Sequence, residues 1–321
     1  MTSIESLTEV GEFRVRDVEE CAESHAPWEM RHTQLSSGKF RGHTAFVRNE
    51  RVTVYRQRWN RKVLARGTSP ADYLVFGTTT NDSANLNWCG RDLSRERLAF
   101  TTPSGEVDFT SSALGDHVVA LIRVDVLADY LGDAERAAEP YGLHIHCPER
   151  TGRNLVATIQ SILTRYASQP LLVDPRECQD FESEVLSALA ACANWEPPAD
   201  ANRSRRREAV RDACAYAETR HEPISIRQLA DAAGVSPRTL EYAFREVLGT
   251  TPLNFMRRCR MNCAHRDFRL ARMGSKTVTE IATSWGFNDL GRFAAAYKQL
   301  FGFYPSETLN QDRSPIEHLQ P

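Results

Sequence analysis

The sequence predicts an α+β protein with two domains: an N-terminal antiparallel β-barrel with a helix pair, and an all-α C-terminal domain. Three observations lead to this prediction. Residues 40–124 contain short stretches of alternating polar and apolar residues, the pattern of antiparallel strands. Residues 125–195 contain apolar residues at helical spacing, and the last hundred residues contain a repeated helix pair. The length of 321 residues is enough for about two domains.

The predicted barrel consists of short stretches rich in β-branched and aromatic residues, separated by polar or glycine-containing segments. The stretches are 40–59, 72–80, 84–89, 97–103 and 117–124. Several strands at this spacing are typical of an antiparallel barrel or sandwich. Aromatic side chains on these strands either fill the barrel core or line a pocket for a small molecule. The candidates for such a pocket are Trp59, Tyr73, Phe76, Trp88 and Phe100.

Two amphipathic helices are predicted over 153–167 and 175–195, after a short helix at 125–132. Each long helix carries one apolar stripe at the helical period. The stripes consist of Leu155, Ile159, Ile162 and Leu163, and of Phe181, Val185, Leu186 and Leu189. Two interpretations stay open, because the stripes can cover the barrel or can face a second subunit of a homodimer. The candidate dimer contacts are Leu155, Ile159, Ile162, Leu186 and Leu189.

A domain boundary is predicted near 200–205, within the proline-containing and basic segment 196–207. The predicted domains are therefore 1–200 and 203–321. Their charges are opposite: residues 203–321 contain 19 Lys and Arg against 13 Asp and Glu, whereas the rest of the chain contains 21 against 29. A basic domain of this kind fits a polyanionic partner such as nucleic acid.

The C-terminal domain contains two copies of one helix pair, at 225–252 and 277–305. In each copy a Ser or Thr precedes a Gln or Glu by three residues, which is the capping box that begins a helix. These capping pairs are Ser225 with Gln228 and Thr277 with Glu280.

A glycine then ends the first helix of each copy, and a polar residue begins the second. Gly234 and Gly286 can adopt the left-handed conformation found after helix C-termini. The predicted N-caps of the second helices are Ser236, followed by Pro237, and Asn288. Helix, tight turn and helix form a helix-turn-helix unit, whose second helix enters the major groove of DNA. The sequence places the units at 225–248 and 277–301.

A long helix over 252–272 is predicted to join the two units. Its predicted apolar side consists of Leu253, Met256, Cys259, Cys263 and Phe268. Its arginines make it strongly basic, and they are Arg257, Arg258, Arg260, Arg266, Arg269 and Arg272. A rigid connector of this kind can hold two recognition helices for successive major grooves, about 34 Å apart.

Two stretches carry a resemblance to a known family: IRQLADAAGVSPRTLEYAFREVLGTTP and VTEIATSWGFNDLGRFAAAYKQLFGFYPSETL. They resemble the DNA-binding domain of the AraC/XylS family of bacterial transcription regulators. The barrel and helix pair resemble, more loosely, the cupin-like, AraC-binding-like domain of XylS-type members. The resemblance implies an effector-responsive activator whose partners are double-stranded promoter DNA, RNA polymerase and a small organic effector, such as an aromatic or carboxylate catabolite. A repressor, or a regulator without a ligand, is the alternative.

By family position, eight residues of the second helices are implied to face DNA. They are Arg238, Thr239, Glu241 and Tyr242 in the first unit, and Leu290, Gly291, Arg292 and Ala295 in the second. A guanidinium group can pair bidentately with guanine, so Arg238 and Arg292 are the best base readers, although both can also clamp phosphates. Glu241 and Tyr242 depart from the commoner family pattern, in which amide and basic residues are frequent at these positions. The Glu241 carboxylate can accept a hydrogen bond from cytosine N4, but it repels phosphate.

Other residue patterns give little sign of catalysis. His144, His146 and Glu149 resemble the metal motif of cupin enzymes, but the glutamate follows too soon, and polar residues in a connection are the favoured interpretation. A cupin-type metalloenzyme fused to a DNA-binding module is therefore the least favoured alternative, and no metal, cofactor or catalytic residue is predicted. The eight cysteines show no CxxC spacing, and no apolar window approaches a membrane span. We expect a cytoplasmic protein with reduced thiols.

Overall fold

The computed structural model describes most of the chain. The described residues are 8–23, 28–81, 86–95, 97–126, 143–146, 149–169, 171–172, 174–192, 205–220, 224–271 and 275–310. Within these ranges the strands are β1 (Thr8–Val15), β2 (Glu29–Gln34), β3 (Gly42–Arg48), β4 (Val52–Trp59), β5 (Val63–Thr68), β6 (Tyr73–Thr79), β7 (Asn87–Trp88), β8 (Arg91–Asp92), β9 (Arg97–Thr101), β10 (Glu106–Thr110), β11 (Gly115–Arg123), β12 (Leu143–His146) and β13 (Leu171–Leu172).

These strands form two antiparallel sheets. The larger sheet has the order β12-β9-β6-β11-β4-β3-β1-β13, and the smaller has the order β2-β5-β10-β7-β8. The predicted range of 40–124 is too narrow, because β1 and β2 precede it and β12 and β13 follow it. The strand β1 pairs with β3 and β13, which are distant in sequence, and such non-local pairing leaves little local signal.

The helices separate into two groups along the chain. They are α1 (Val18–Glu23), α2 (Glu149–Tyr166), α3 (Pro175–Cys192), α4 (Arg205–Glu218), α5 (Ile226–Ala232), α6 (Pro237–Leu248), α7 (Pro252–Leu270), α8 (Val278–Ser284), α9 (Leu290–Phe301) and α10 (Pro305–Leu309). Most of the helix predicted at 125–132 lies outside the described residues, as does the predicted boundary at 200–204. No helix in the described part of the chain is long and apolar enough to span a membrane.

The stripes of α2 and α3 cover the larger sheet. Successive side chains of a strand point to opposite faces, and Val118, Ala120 and Ile122 of β11 share one core with both helices. The five candidate dimer contacts are buried in this core, and they are Leu155, Ile159, Ile162, Leu186 and Leu189. Their burial within one chain removes them from a dimer surface and favours the interpretation in which the stripes cover the barrel.

The C-terminal helices pack against the outer side of the smaller sheet. Leu35 and Leu64, from the N-terminal part, belong to the same buried cluster as Leu240, Phe244 and Phe255. The two parts of the chain therefore share a hydrophobic core at their interface. This interface positions the helix-turn-helix units relative to the sheets.

Candidate nucleic-acid interface

The first helix-turn-helix unit consists of α5 and α6, and its predicted capping is confirmed. The Ser225 side chain accepts a hydrogen bond from Gln228 N at 3.2 Å, and the Gln228 side chain accepts one from Ser225 N at 2.9 Å. Gly234 has φ of +63°, the left-handed conformation that ends α5. Ser236 then caps α6 by accepting from Thr239 N at 3.1 Å.

The second unit consists of α8 and α9 and repeats this arrangement with one difference. Thr277 and Glu280 form the capping box of α8, and Gly286 has φ of +74°. The N-cap of α9 is Asp289 rather than the predicted Asn288, because the turn is one residue longer than in the first unit. Asp289 Oδ1 accepts a hydrogen bond from Arg292 N at 3.0 Å.

Each recognition helix buries one face and exposes the other. Leu240 and Phe244 of α6 are fully buried, as are Phe293 and Tyr297 of α9. The eight residues implied to face DNA lie on the opposite faces: seven are exposed, and Glu241 is half-buried. Each set of four is therefore brought together on one accessible helix face.

Four side chains of α6 form two separate contacts on its exposed face. The Arg238 guanidinium carbon lies 5.8 Å from the centroid of the Tyr242 ring, within the range of a cation–π contact. Arg245 donates to Glu241 Oε1 at 3.2 Å, four residues along the same helix. Arg245 thus places a positive charge beside the Glu241 carboxylate, a partner that the sequence pattern did not indicate.

Arg292, the candidate base reader of the second unit, has 86% of its side chain accessible. Its Nε lies 3.2 Å from Asp289 Oδ2, so Asp289 both caps α9 and holds the Arg292 guanidinium near the start of the helix. The sequence alone does not indicate this role of Asp289, because Asn288 is an equally good N-cap residue.

The connector helix α7 differs from its prediction in two respects. Leu253 is exposed, at 66%, whereas Met256, Cys259, Cys263 and Phe268 are buried as expected. Leu253 lies at the second position of the helix, beyond the packed core. Arg266 and Arg269 pair with carboxylates of α1 and its preceding turn rather than facing solvent, and Arg272 lies outside the described residues.

The five aromatic pocket candidates do not converge on one site. Trp59 and Trp88 lie between the sheets, each about 6 Å from Phe109 by ring centroids. Phe76 and Phe100 lie on the opposite face of the larger sheet, where their rings are 5.1 Å apart beneath α2 and α3. They are register partners on β6 and β9, so both side chains share the helix-covered face.

The remaining candidate, Tyr73, is half-buried and packs against a small hydrophobic cluster that contains Tyr55. Its hydroxyl donates a hydrogen bond to Glu50 O at 2.8 Å. The indole groups between the sheets are also hydrogen-bonded: Trp59 Nε1 donates to Ser111 Oγ at 2.8 Å, and Trp88 Nε1 donates to Thr101 Oγ1 at 3.2 Å.

For the histidines that resemble a cupin metal motif, the structure describes the backbone but not the side chains. His144 and His146 lie on β12, which pairs with β9, and the side chains of 143–149 are outside what the structure describes. Among the residues whose positions are described, no three His, Cys, Asp or Glu side chains form a metal-binding group. Burial raises the pKa of the Cys259 and Cys263 thiols, which disfavours the reactive thiolate form.

Comparison with known proteins agrees with these two parts of the chain. An AraC-binding-like domain model matches residues 19–190, and a helix-turn-helix domain model matches residues 229–311. The probable thc operon regulatory protein of Rhodococcus erythropolis is 46% identical over 101 residues, which are 31% of this chain and 30% of that protein. The XylDLEGF operon transcriptional activator 2 of Pseudomonas putida is 40% identical over 87 residues, 27% of this chain and 55% of that protein.

The chain therefore matches less than two thirds of the length of each of these two relatives. A crystal structure of a probable AraC family transcriptional regulator from Rhodopseudomonas palustris is 39% identical, covers 33% of this chain and 98% of that chain, and has a TM-score of 0.31. The AraC-binding-like match by itself covers more than half of the sequence. The chain belongs to the AraC/XylS family of DNA-binding transcription regulators, which are not enzymes.

Proposed function

We propose that this protein activates transcription from promoters that it reads with both helix-turn-helix units, in response to a small organic effector. The observation that carries the DNA-reading part is the pair of accessible recognition-helix faces, each with an arginine in its first turn. These arginines are Arg238 on α6 and Arg292 on α9. Promoter DNA lies in the bacterial cytoplasm, so the proposal places the protein there.

The side chains on each face suit contact with base edges. The N-terminal residues of a recognition helix reach the base edges of the major groove, and Arg238 and Arg292 can each pair with guanine O6 and N7. Tyr242 supports the Arg238 guanidinium from one side. Glu241 can accept from a cytosine amino group, with Arg245 balancing its charge.

We propose that Trp59 and Trp88 contribute to the effector site. Phe76 and Phe100 are not included, because they face the helices on the other side of the larger sheet. The core between the sheets combines aromatic rings with the hydroxyls of Ser111 and Thr101, a mixture that suits an aromatic or carboxylate molecule. One observation favours a ligand-independent regulator as the second candidate, because both indole N–H groups already bond to the protein. The homodimer remains a prediction without assigned residues.

The DNA-reading proposal is tested by enriching duplexes from a random-sequence library with the full-length protein. We expect a motif with two conserved halves about one helical turn apart, centre to centre. The matched control is the double variant Arg150→Ala/Arg176→Ala, which removes an equal charge from exposed positions on α2 and α3. The control should enrich the same motif, whereas the double variant Arg238→Ala/Arg292→Ala should enrich none. A double variant that keeps the full motif would contradict the proposal.

The activator part is tested by transcription in vitro with purified RNA polymerase on a template that carries the enriched motif upstream of a promoter. An activator raises transcript yield, whereas a repressor lowers it. Addition of aromatic and aliphatic carboxylates, one at a time, tests the effector. A transcript level and a thermal unfolding midpoint that respond to no member of the panel would favour the ligand-independent candidate.

A further inference from the structure

We infer that the N-terminal domain sets the distance between the two recognition helices by holding the C-terminal carbonyls of both, with Lys62 and Gln34 as positioning residues. The inference rests on the proposed reading of DNA by two units, and it assigns the N-terminal domain a part in selecting the spacing between half-sites.

Lys62 holds the C-terminus of the first recognition helix. Its Nζ donates to Leu248 O, the carbonyl of the last residue of α6, at 2.7 Å. The last carbonyls of a helix have no partner within the helix and carry the negative end of its dipole. A lysine from another domain is therefore an attractive contact at this point, and it holds the C-terminal end of α6 in position.

Gln34 holds the C-terminus of the second recognition helix. Its Nε2 donates to Leu300 O at 2.6 Å, and Gly38 N donates to the same carbonyl at 2.9 Å. Leu300 is the penultimate residue of α9. Two donors from the N-terminal domain thus bond one carbonyl at the end of this helix.

The backbone of Gln34 is itself anchored to the connector helix. Gln34 N donates to Asn262 Oδ1 at 2.9 Å, and Asn262 Nδ2 donates to Gln34 O at 3.2 Å. Both residues are buried, where a hydrogen bond is stronger than in water. The end of β2 is therefore attached to the middle of α7 as well as to the end of α9.

The two positioning residues lie at one rigid corner of the smaller sheet. Gln34 pairs in register with Val63, the residue after Lys62, and Leu35 N donates to Lys62 O at 2.7 Å. Because Gln34 lies in this ladder and Lys62 directly precedes it, the ladder fixes the separation of their backbones. The carbonyls that they hold, on α6 and α9, are fixed by the same ladder.

The hydrophobic cores of the two units do not by themselves fix the distance between the recognition helices. The first unit packs around Leu240 and Phe244 and the second around Phe293 and Tyr297, in separate clusters within the described part of the chain. Their relative position therefore depends on α7 and on the sheet corner. A rigid second attachment narrows the range of half-site spacings that both helices can reach at once.

The test uses the full-length protein and duplexes carrying the two enriched half-motifs at the selected spacing and with one or two base pairs added or removed. The dissociation constant is measured for wild type, Lys62→Ala, Lys62→Arg and the charge-matched control Arg176→Ala. Simultaneous engagement of two sites strengthens binding by 10²–10⁴ only when geometry permits it, so wild type should prefer the selected spacing by on the order of 100-fold.

We expect Lys62→Ala to reduce this preference to on the order of tenfold or less while leaving the affinity for a single half-motif unchanged. Lys62→Arg, which keeps a cationic donor, should restore the preference, and Arg176→Ala should not alter it. Should Lys62→Ala fail to fold by circular dichroism, Lys62→Met keeps the aliphatic stem and replaces it in the comparison.

An unchanged spacing preference in the folded variant would overturn the inference. Weaker binding to single half-motifs would also overturn it, because Lys62 would then maintain the shape of α6 itself. Failure of the proposed function is visible separately, since wild-type protein would then enrich no two-part motif.

Discussion

The Asp17 carboxylate accepts a hydrogen bond from His265 Nε2 across the domain interface, with 3.0 Å between Oδ2 and Nε2. His265 is fully buried in α7, and its Nδ1 lies 2.5 Å from the hydroxyl of Tyr297 on the second recognition helix. That hydroxyl is 2.9 Å from Thr308 Oγ1. A chain of polar contacts therefore runs from the N-terminal domain into the core of the second unit.

Ion pairs surround this chain of contacts. Arg269 donates to Asp17 Oδ1 at 2.8 Å, and Arg266 donates to both carboxylate oxygens of Glu19, at 2.8 and 2.9 Å. The opposite charges of the two domains thus meet at this interface. Part of the basic charge expected to face DNA is used to join the domains.

Replacing Asp17 with Asn should loosen this interface. The substitution removes a buried charge that both His265 and Arg269 contact, and a hydrogen bond to a charged group contributes about 1.5–3 kcal/mol. We expect the free energy of unfolding in urea to fall by about that amount. Asp180→Asn, at an exposed position on α3, is the matched control and should change it by less than about 0.5 kcal/mol. Equal free energies of unfolding for the two variants would show that Asp17 does not stabilise the interface.

The contact between Asp17 and His265 also predicts that the stability of the folded protein depends on pH. Burial by itself raises the pKa of Asp17, but the charge and hydrogen bond of His265 and the charge of Arg269 outweigh it and hold the pKa well below the ordinary 3.8. A lowered carboxyl pKa stabilises the folded state above the ordinary value, and this stabilisation is lost as the pH falls below it.

The stability gap between wild type and Asp17→Asn should therefore narrow as the pH falls below about 4, where the unfolded chain binds a proton that the folded Asp17 does not. Urea unfolding at a series of pH values measures this gap, and the other carboxyl groups titrate in both proteins. A gap that narrows between pH 7 and 5 instead would implicate a different group.

Ile159→Glu should unfold the N-terminal domain rather than split a dimer. The side chain is buried between α2 and the larger sheet, and an uncompensated buried charge costs about 3–5 kcal/mol. Ala157→Glu, at an exposed position on the same helix, should be tolerated. Circular dichroism and sedimentation distinguish the cases, and a folded Ile159→Glu protein of reduced oligomeric state would revive the dimer interpretation.

Arg245→Ala should weaken DNA binding because it leaves the Glu241 charge unbalanced next to the DNA backbone. We expect a loss on the order of 1 kcal/mol, about fivefold in Kd. Adding Glu241→Ala to this variant should recover most of the loss. A double variant that binds as weakly as Arg245→Ala would show that Arg245 contacts DNA by itself and does not act through Glu241.

The helix-turn-helix units could be predicted from the sequence because their signals are local. The capping boxes at Ser225 and Thr277, and the left-handed glycines Gly234 and Gly286, act within a few residues of each other. The N-cap of α9 lies one residue later than the sequence predicts, since Asn288 and Asp289 are both good capping residues and only the turn geometry decides between them.

The N-terminal strands and the interface could not be predicted in the same way. The pairing of β1 with β13, and of Asp17 with His265, joins residues more than 160 positions apart. The side of the sheet that Phe76 and Phe100 face also depends on register, which a single apolar stretch does not specify. These features follow from tertiary packing rather than from local residue preference.

The most direct test of the account is duplex enrichment with the single variants Arg238→Ala and Arg292→Ala, compared with wild type. If each recognition helix reads its own half-site, each variant should lose base preference in one half of the motif only, and the two halves should differ between the variants. The expected loss at the affected base is about 1–3 kcal/mol of discrimination. Loss of the same half by both variants, or an unchanged motif in either, would contradict the account.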